Sequence, residues 1–353
     1  MKIMVIGANG LCGTSLIPLL EKYEKGSELI LIDSSEESMP PIINALVEIK
    51  QLWHILRSFG MERGDILIDL TTELSKLEVM QEADGAGVSV INATLCEKDR
   101  GTLSLVDLLD KKLLLGRYKW QAPHIPCAGM NPGNVNALLG MMIEKYGNPV
   151  DVTEWELDST TPLNWDGEGF ATWSPAEFAS EFSDESTWEI DGKRILFLEG
   201  PPIDNLLTMP DGNAGALCPH EEILKWGWDY GCKARYIYGY LPDTLAAIEK
   251  NIRAGLELPL CRKMKDRIPS GGDTIGLVAE FNGGKVIEGN ISASNEDEAI
   301  PVRSNATSYL VACGLISALQ MMGDKVDAGL NWPEKFGSKW IQFLRQNKLC
   351  DFK

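Results

Sequence analysis

Histidine is scarce in this sequence: His54, His124 and His220 are the only three, and none lies at a zinc-ligand spacing from another. The eight cysteines are scattered, with no Cys-X-X-Cys pair. Together these point away from a bound metal and toward reduced thiols, as expected of a cytoplasmic protein. Positive charge is also short, 33 Lys plus Arg against 51 Asp plus Glu, for a net charge of −18. That balance argues against a nucleic-acid partner, because phosphate binding runs on clustered Lys and Arg. An acidic surface instead attracts small cations. No apolar run approaches the roughly 18–20 residues that cross a bilayer, so no membrane partner is expected. Met1-Lys2 leads straight into Ile3-Met4-Val5-Ile6, without the basic and apolar regions of a leader.

At 353 residues, two domains are expected, since single cores stop growing at roughly 250–300 residues. The first third alternates short apolar runs (Lys2–Ile6, Glu28–Ile32, Asp65–Leu70, Val88–Asn92) with helical stretches at Leu11–Tyr23 and Gln51–Phe59. This is the pattern of a doubly wound parallel sheet of Rossmann type. A further apolar stretch, His124–Ala128, leads to a helix over Asn134–Tyr146. From Asp151 the texture changes to strands at Asp151–Asp158, Arg194–Leu198, Lys233–Gly239, Thr274–Phe281 and Lys285–Ser292. Asn282-Gly283-Gly284 makes a hairpin turn between the last two. Helices over Pro175–Phe182 and Pro242–Ala254 cover one face of what reads as a second, α+β domain on a mostly antiparallel sheet. A long apolar helix, Arg303–Met322, is expected to return to the first domain. The expected division is therefore 1–150 plus 304–353 for a dinucleotide and 151–303 for substrate. Glu296-Asp297-Glu298 reads as a solvated loop.

Gly7-Ala8-Asn9-Gly10-Leu11-Cys12-Gly13 closes the first strand and opens the first helix. The first glycine permits the tight turn, the second lets backbone approach a pyrophosphate, and Gly13 lets helix pack on strand. The pyrophosphate sits on the helix N-terminus. Asp33 follows Gly13 by 20 residues at the end of the second strand, where a carboxylate binds ribose hydroxyls. Ser34, Ser35 and Glu36 come next, with no cation to offset a 2′-phosphate, so NAD is favoured over NADP. The candidate cofactor contacts are Gly7, Asn9, Gly10, Leu11, Gly13, Asp33 and Ser34. Asp69, Leu70, Thr71 and Thr94 join them from later strand ends, and Asn131 and Pro132 from the turn before the Asn134 helix.

That turn, Met130-Asn131-Pro132-Gly133, lies where a catalytic domain meets its nicotinamide. In this context the sequence resembles the homospermidine synthase branch of the saccharopine-dehydrogenase-like proteins. The matching stretches are the glycine turn, Ala93-Thr94-Leu95-Cys96-Glu97, Gly129-Met130-Asn131-Pro132-Gly133 and Glu156-Leu157-Asp158-Ser159-Thr160. Thr172-Trp173-Ser174, Glu181, His220-Glu221-Glu222, Asp273-Thr274-Ile275-Gly276 and Asn305-Ala306-Thr307-Ser308 follow in order. The resemblance implies an enzyme that joins two putrescines into homospermidine, releases ammonia and returns its bound NAD to the starting state. It carries catalytic roles onto Asn131, Glu156, His220 and Glu222, and substrate-binding roles onto Glu97, Trp173, Glu181 and Asp273. The sequence departs from the family pattern at 178–187 and at Lys98-Asp99, close to the implied substrate channel.

The chemistry of these residue types agrees with the resemblance. A diamine is a dication whose ends call for carboxylates, and an indole face attracts a cation. A protonated amine has no lone pair to assist hydride departure, so a base must first take its proton. The candidates are Glu222 with His220, and Glu156. The alternative activity is a saccharopine- or carboxyspermidine-type dehydrogenase condensing an amine with an aldehyde or 2-oxo acid. It requires basic residues that grip a carboxylate, for which Lys193, Arg194, Lys233, Arg235, Arg262 and Arg303 are available. A homodimer is the expectation from base rates.

Overall fold

The computed structural model describes residues 1–35, 42–45, 47–95, 118–183, 186–323 and 326–353. The first layer comprises β1 (Lys2–Ile6), α1 (Leu11–Tyr23), β2 (Glu28–Asp33), β3 (Ile43–Asn44), α2 (Ile49–Ser58), β4 (Ile66–Asp69), α3 (Lys76–Gly85) and β5 (Ser89–Asn92). Its strands run parallel in the order β3-β2-β1-β4-β5. Alternate residues of β1 explain its near-continuous hydrophobicity. Ile3 and Val5 pack with Leu16 and Leu20 of α1, while Met4 and Ile6 pack with Leu52 and Leu56 of α2 and Met80 of α3. Both faces are therefore covered, as parallel sheets require. The strand order reverses between β1 and β4, which opens a crevice at their carboxyl ends.

The chain continues through β6 (Pro123–His124), α4 (Asn134–Tyr146), β7 (Pro149–Asp158), α5 (Pro175–Ser183), β8 (Trp188–Asp191) and β9 (Arg194–Phe197). Then come β10 (Leu206–Thr208), β11 (Ala214–Cys218), α6 (Glu221–Tyr230), β12 (Lys233–Tyr240), α7 (Pro242–Arg253), β13 (Gly272–Phe281) and β14 (Lys285–Ser294). The last elements are α8 (Ala306–Met322), β15 (Gly329–Leu330), α9 (Gly337–Gln346) and β16 (Asp351–Phe352). The second sheet runs β10-β11-β12-β7-β13-β14-β16, with β8 and β9 branching from β12. Its pairs are antiparallel except β7–β12. The expected hairpin joins β13 to β14, and Gly283 and Gly284 both take positive φ there, +87° and +75°.

The apolar stretch at 124–128 runs beside β5, with the two-residue strand β6 at its start and Ile125 bridged to Ile91, and it is pinned there by the buried His124. Its Nδ1 accepts the Val90 N–H at 3.0 Å and its Nε2 bonds Asp84 at 3.0 Å. The long apolar helix starts at Ala306, three residues late, because Asn305 caps it by accepting the Ser308 N–H at 2.9 Å. Helices α3, α6 and α9 and strands β3, β8, β10, β11, β15 and β16 are additions to the elements read from sequence; α3 buries Lys76 and Asp84 beside its apolar residues, so its inner face carries no hydrophobic signature. Glu296-Asp297-Glu298 is an exposed loop, as expected.

Helix α8 is buried on nearly every side, as a uniformly apolar helix must be. It packs on α1 of the first layer and also touches β13 and β14 of the second. Gly314 lets it do so, since a Cβ there would lie 2.0 Å from the Gly129 carbonyl oxygen. Gly314→Ala sets a helix-propensity gain of about 1 kcal/mol against overpacking of backbone by backbone. The overpacking wins, and urea unfolding is expected to show a net loss of about 1–3 kcal/mol. A more stable variant would mean α8 is not seated on Gly129.

Candidate active site

At the crevice, Gly7 takes φ +81°, and a Cβ there would lie 2.9 Å from the Leu70 carbonyl. Only glycine lets the ends of β1 and β4 approach so closely. Gly13 seats α1 on the turn, with a virtual Cβ 2.3 Å from the Ala8 oxygen. Gly10 is the N-cap of α1 and offers no side-chain acceptor, and no acidic residue lies in the first turn. The unpaired N–H groups of Leu11 and its neighbours are thus left for an anion. Asp33 sits across the turn, half-buried, with Oδ2 accepting the Asn9 N–H and Oδ1 the Ser35 N–H, both at 2.8 Å. Ser34 beside it is exposed. These residues fit a dinucleotide: an open helix end for the pyrophosphate, and a carboxylate anchored one strand away for ribose.

Asp69 is placed differently from expectation. Its carboxylate turns inward, accepting the Thr71 N–H at 2.9 Å, the Thr71 hydroxyl at 2.7 Å and the buried Lys76 ammonium at 3.1 Å. It stiffens the end of β4 and leaves Leu70 and Thr71 to line the crevice. Thr94 is clamped by Glu221, whose Oε2 accepts the Thr94 hydroxyl at 3.1 Å while Oε1 accepts the Leu95 N–H at 3.0 Å. Glu221 holds the first layer to the head of α6, and sequence reasoning assigned it no role of its own. Its position in the first turn of a helix, where acids are favoured, was the available signal.

The carboxylates converge on one face of the second sheet. Along β7, Glu154, Glu156 and Asp158 alternate onto that face and are 0%, 2% and 0% exposed. Their register partners on β12 are Tyr236, Tyr238 and Tyr240, and Asp158 pairs across to Asp273 on β13. Helix α6 adds Glu222, bonded to His220 Nδ1. The turn at 130–133, with its cis Asn131–Pro132 bond, adds Asn131, whose Nδ2 donates to Glu156 Oε2 at 2.6 Å and to the Tyr236 hydroxyl at 3.0 Å. Tyr236 donates to the same Oε2 at 2.6 Å. Thr172 donates to Asp158 and Thr307 to Asp273, both at 2.6 Å. Trp173 is half-buried beside this ladder, its indole N–H on the Tyr238 hydroxyl at 3.3 Å. Glu181, half-buried, lies near enough to act electrostatically on His220, Tyr236 and Cys218. The structure thus brings Asn131, Glu156, Trp173, Glu181, His220, Glu222 and Asp273 together; Glu97 lies outside the described residues. Glu154 and the three tyrosines are the functional candidates that the sequence reading passed over, although their two-residue alternation was visible in it.

Burial shapes the protonation of this face. It pushes Glu154 well above the carboxylate range, helped by the neighbouring Glu222 and Glu156. Asp273 is raised likewise by burial and by Glu156 and Asp158. Asp158 is raised by burial against the bonds from Thr172 and Thr160. Glu156 is pushed up to about 7 by burial, with Tyr236 and Asn131 opposing and Asp158 adding to the rise. Burial alone would lower His220, but Glu222, Glu181 and Glu221 outweigh it and hold it up to about 10. At neutral pH His220 is therefore an imidazolium on Glu222, and Glu156 is the carboxyl poised to exchange a proton.

A cavity of about 280 Å³ opens at the opposite end of the parallel sheet, among Arg63, Ile66, Ser89 and Gln320, and includes none of these groups. No family model and no curated protein matches the chain. Solved structures do. The homospermidine synthase of Legionella pneumophila, in complex with NAD, matches with a TM-score of 0.78 at 18% identity, over 100% of this chain and 91% of that one. The saccharopine dehydrogenase (L-Glu forming) of Saccharomyces cerevisiae matches with a TM-score of 0.63 at 11% identity, over 100% and 99%. The fold is a Rossmann-type α/β fold. At these identities, fold is what the likeness shows.

The raised Glu156 gives a linkage prediction. An acid whose folded pKa exceeds its unfolded value binds more protons when folded, so its ionisation costs stability as pH rises between the two. Glu156→Gln removes that cost. Its stability relative to wild type is expected to grow between pH 5 and pH 8, by on the order of 1–3 kcal/mol in urea unfolding. A difference that stays flat with pH would show that Glu156 ionises normally.

Proposed function

We propose that this protein is an NAD-dependent enzyme acting on cationic amines, of homospermidine synthase type. It oxidises a diamine such as putrescine to an imine, condenses it with a second amine as ammonia leaves, and returns the hydride. One observation carries this reading. Both oxygens of Glu154, and one each of Glu156 (Oε1), Glu222 (Oε1) and Asp273 (Oδ1), are buried with no hydroxyl or cation bonded to them among the described residues; the acids instead lie against one another, Glu154 beside Glu222 and Asp273 beside Glu156. No lysine or arginine there bonds to any of these carboxylates. Buried carboxylates left so need a cation or a proton, and a diammonium chain supplies the cation. The same lack of basic partners disfavours a substrate held by its carboxylate. Arg235, one candidate for that grip, is turned to Asp151 and Glu189 instead.

On this reading residues 1–150 and 304–353 hold the dinucleotide and 151–303 the amine. When bound, NAD takes up and later returns the hydride. The protein's own groups do the rest. Glu156 Oε1 takes the proton from the substrate ammonium and frees its lone pair. The carboxylates around it hold the second ammonium. Trp173 presents a ring beside the ladder, worth about 2 kcal/mol to a desolvated cation. His220, charged and held by Glu222, provides the proton with which ammonia departs, and burial keeps water from the imine.

The test mixes the protein with putrescine and a sub-stoichiometric trace of NAD, then identifies amines by mass spectrometry while assaying ammonia. Homospermidine and ammonia are expected well beyond the NAD supplied. No amine product, but turnover of an amine plus an oxo acid with reduced cofactor, would replace this reading with a reductive dehydrogenase.

A further inference from the structure

We infer that Tyr236 is a positioning residue for the reaction proposed above: with Asn131 it occupies one oxygen of Glu156 and leaves the other, Oε1, as the single oxygen offered to a substrate ammonium. The inference rests on that reading for its substrate, and on geometry for the rest.

Tyr236 is 2% exposed, and its ring is held between the His220 ring, with centroids 4.7 Å apart, and the Tyr238 ring, 6.1 Å away. Its hydroxyl has one proton to give. The Asn131 amide donates to the hydroxyl oxygen at 3.0 Å, which turns that proton away from Asn131 and toward Glu156 Oε2, 2.6 Å away. The other Asn131 N–H reaches the same Oε2 at 2.6 Å. The three groups form a closed triangle, and Oε1 lies outside it with no hydroxyl, amide or cation bonded to it; the Asp273 carboxyl is the acid within hydrogen-bonding reach of Glu156. Burial and the adjacent carboxylate push the Tyr236 phenol well above its ordinary range, so it stays protonated and does not itself exchange protons.

Glu156 also faces Glu154 and Asp158 on β7, Asp273 on β13, Tyr238 and Tyr240 on β12, Cys218 on β11 and His220 at the head of α6. The acids around it favour the protonated carboxyl. Tyr236 and Asn131 pull the other way, and His220 pulls with them. Removing the Tyr236 hydroxyl therefore tips Glu156 toward its protonated, inactive form.

The experiment compares wild type with Tyr236→Phe in two readouts. In kcat/KM against pH with putrescine, the acid limb is expected to move up by about one pH unit, so that activity falls about tenfold below the limb and recovers above it. In a carbon-13 titration of glutamate-labelled protein without substrate, the carboxyl signal that Glu156→Gln removes is expected to titrate higher by the same amount. A loss uniform across pH, with the carboxyl titration unmoved, overturns the proposal and leaves Tyr236 a packing residue. Absence of putrescine turnover in wild type with a shifted carboxyl titration would refute the reaction but retain the positioning. If Tyr236→Phe does not fold, 3-fluorotyrosine at 236 keeps the ring and strengthens the donor. It should move the titration down, and no movement overturns the proposal.

Discussion

Five carboxyl groups, Glu154, Glu156, Asp158, Glu222 and Asp273, sit within the interior of this chain, and the side chains bonded to them are hydroxyls, an amide and one imidazole. Confining that much latent negative charge is the constraint around which the second sheet is arranged. β12 sets a tyrosine opposite each acid of β7, and the Tyr236 phenol donates to Glu156 in place of the water that this acid loses. Thr172 and Thr307 serve the oxygens at the end of the ladder. Where no donor is supplied, burial holds the proton on the acid, as at Glu154. The acids of this face are thereby tolerated in the interior.

The other end of the molecule solves a different problem with backbone. Around β1 and β4 the chain uses glycine at the close approaches and leaves a helix N-terminus bare. The acid nearest that end, Asp33, is turned into a fixture by Asn9 and Ser35. Asn131 and Glu221 tie the two regions together. Each extends a polar side chain from one layer to a group in the other.

The parallel layer was the part most legible in sequence. β1, α1 and α4 fall at the expected residues because apolar alternation, a glycine turn and a helical period each mark them locally. The site was legible as a set of residue types. Asn131, Glu156, His220, Glu222 and Asp273 all stand out there, with Glu222 and His220 as a pair, but Tyr236 and Thr307, which donate to Glu156 and Asp273, do not. Tyr236 and Glu154 look like ordinary strand residues until β7 and β12 are laid side by side, since parallel pairing of strands 75 residues or more apart leaves no local mark. Asp69 was read as a crevice residue because strand ends usually are. Lys76, the first residue of a helix whose inner face is partly charged, holds it inward.

The seating of α8 on α1 has a bearing on how the chain is made. Residues 11–23 and 306–322 pack together across nearly the whole length of the sequence, and such a contact has a large loop-closure cost that is met before it stabilises anything. Helix α8 also lies against β5, so the sheet face beside α1 gains this part of its cover only once residues 306–322 have been made. The parallel strands are thus made long before they are fully enclosed, and until then their apolar face is open to wrong contacts.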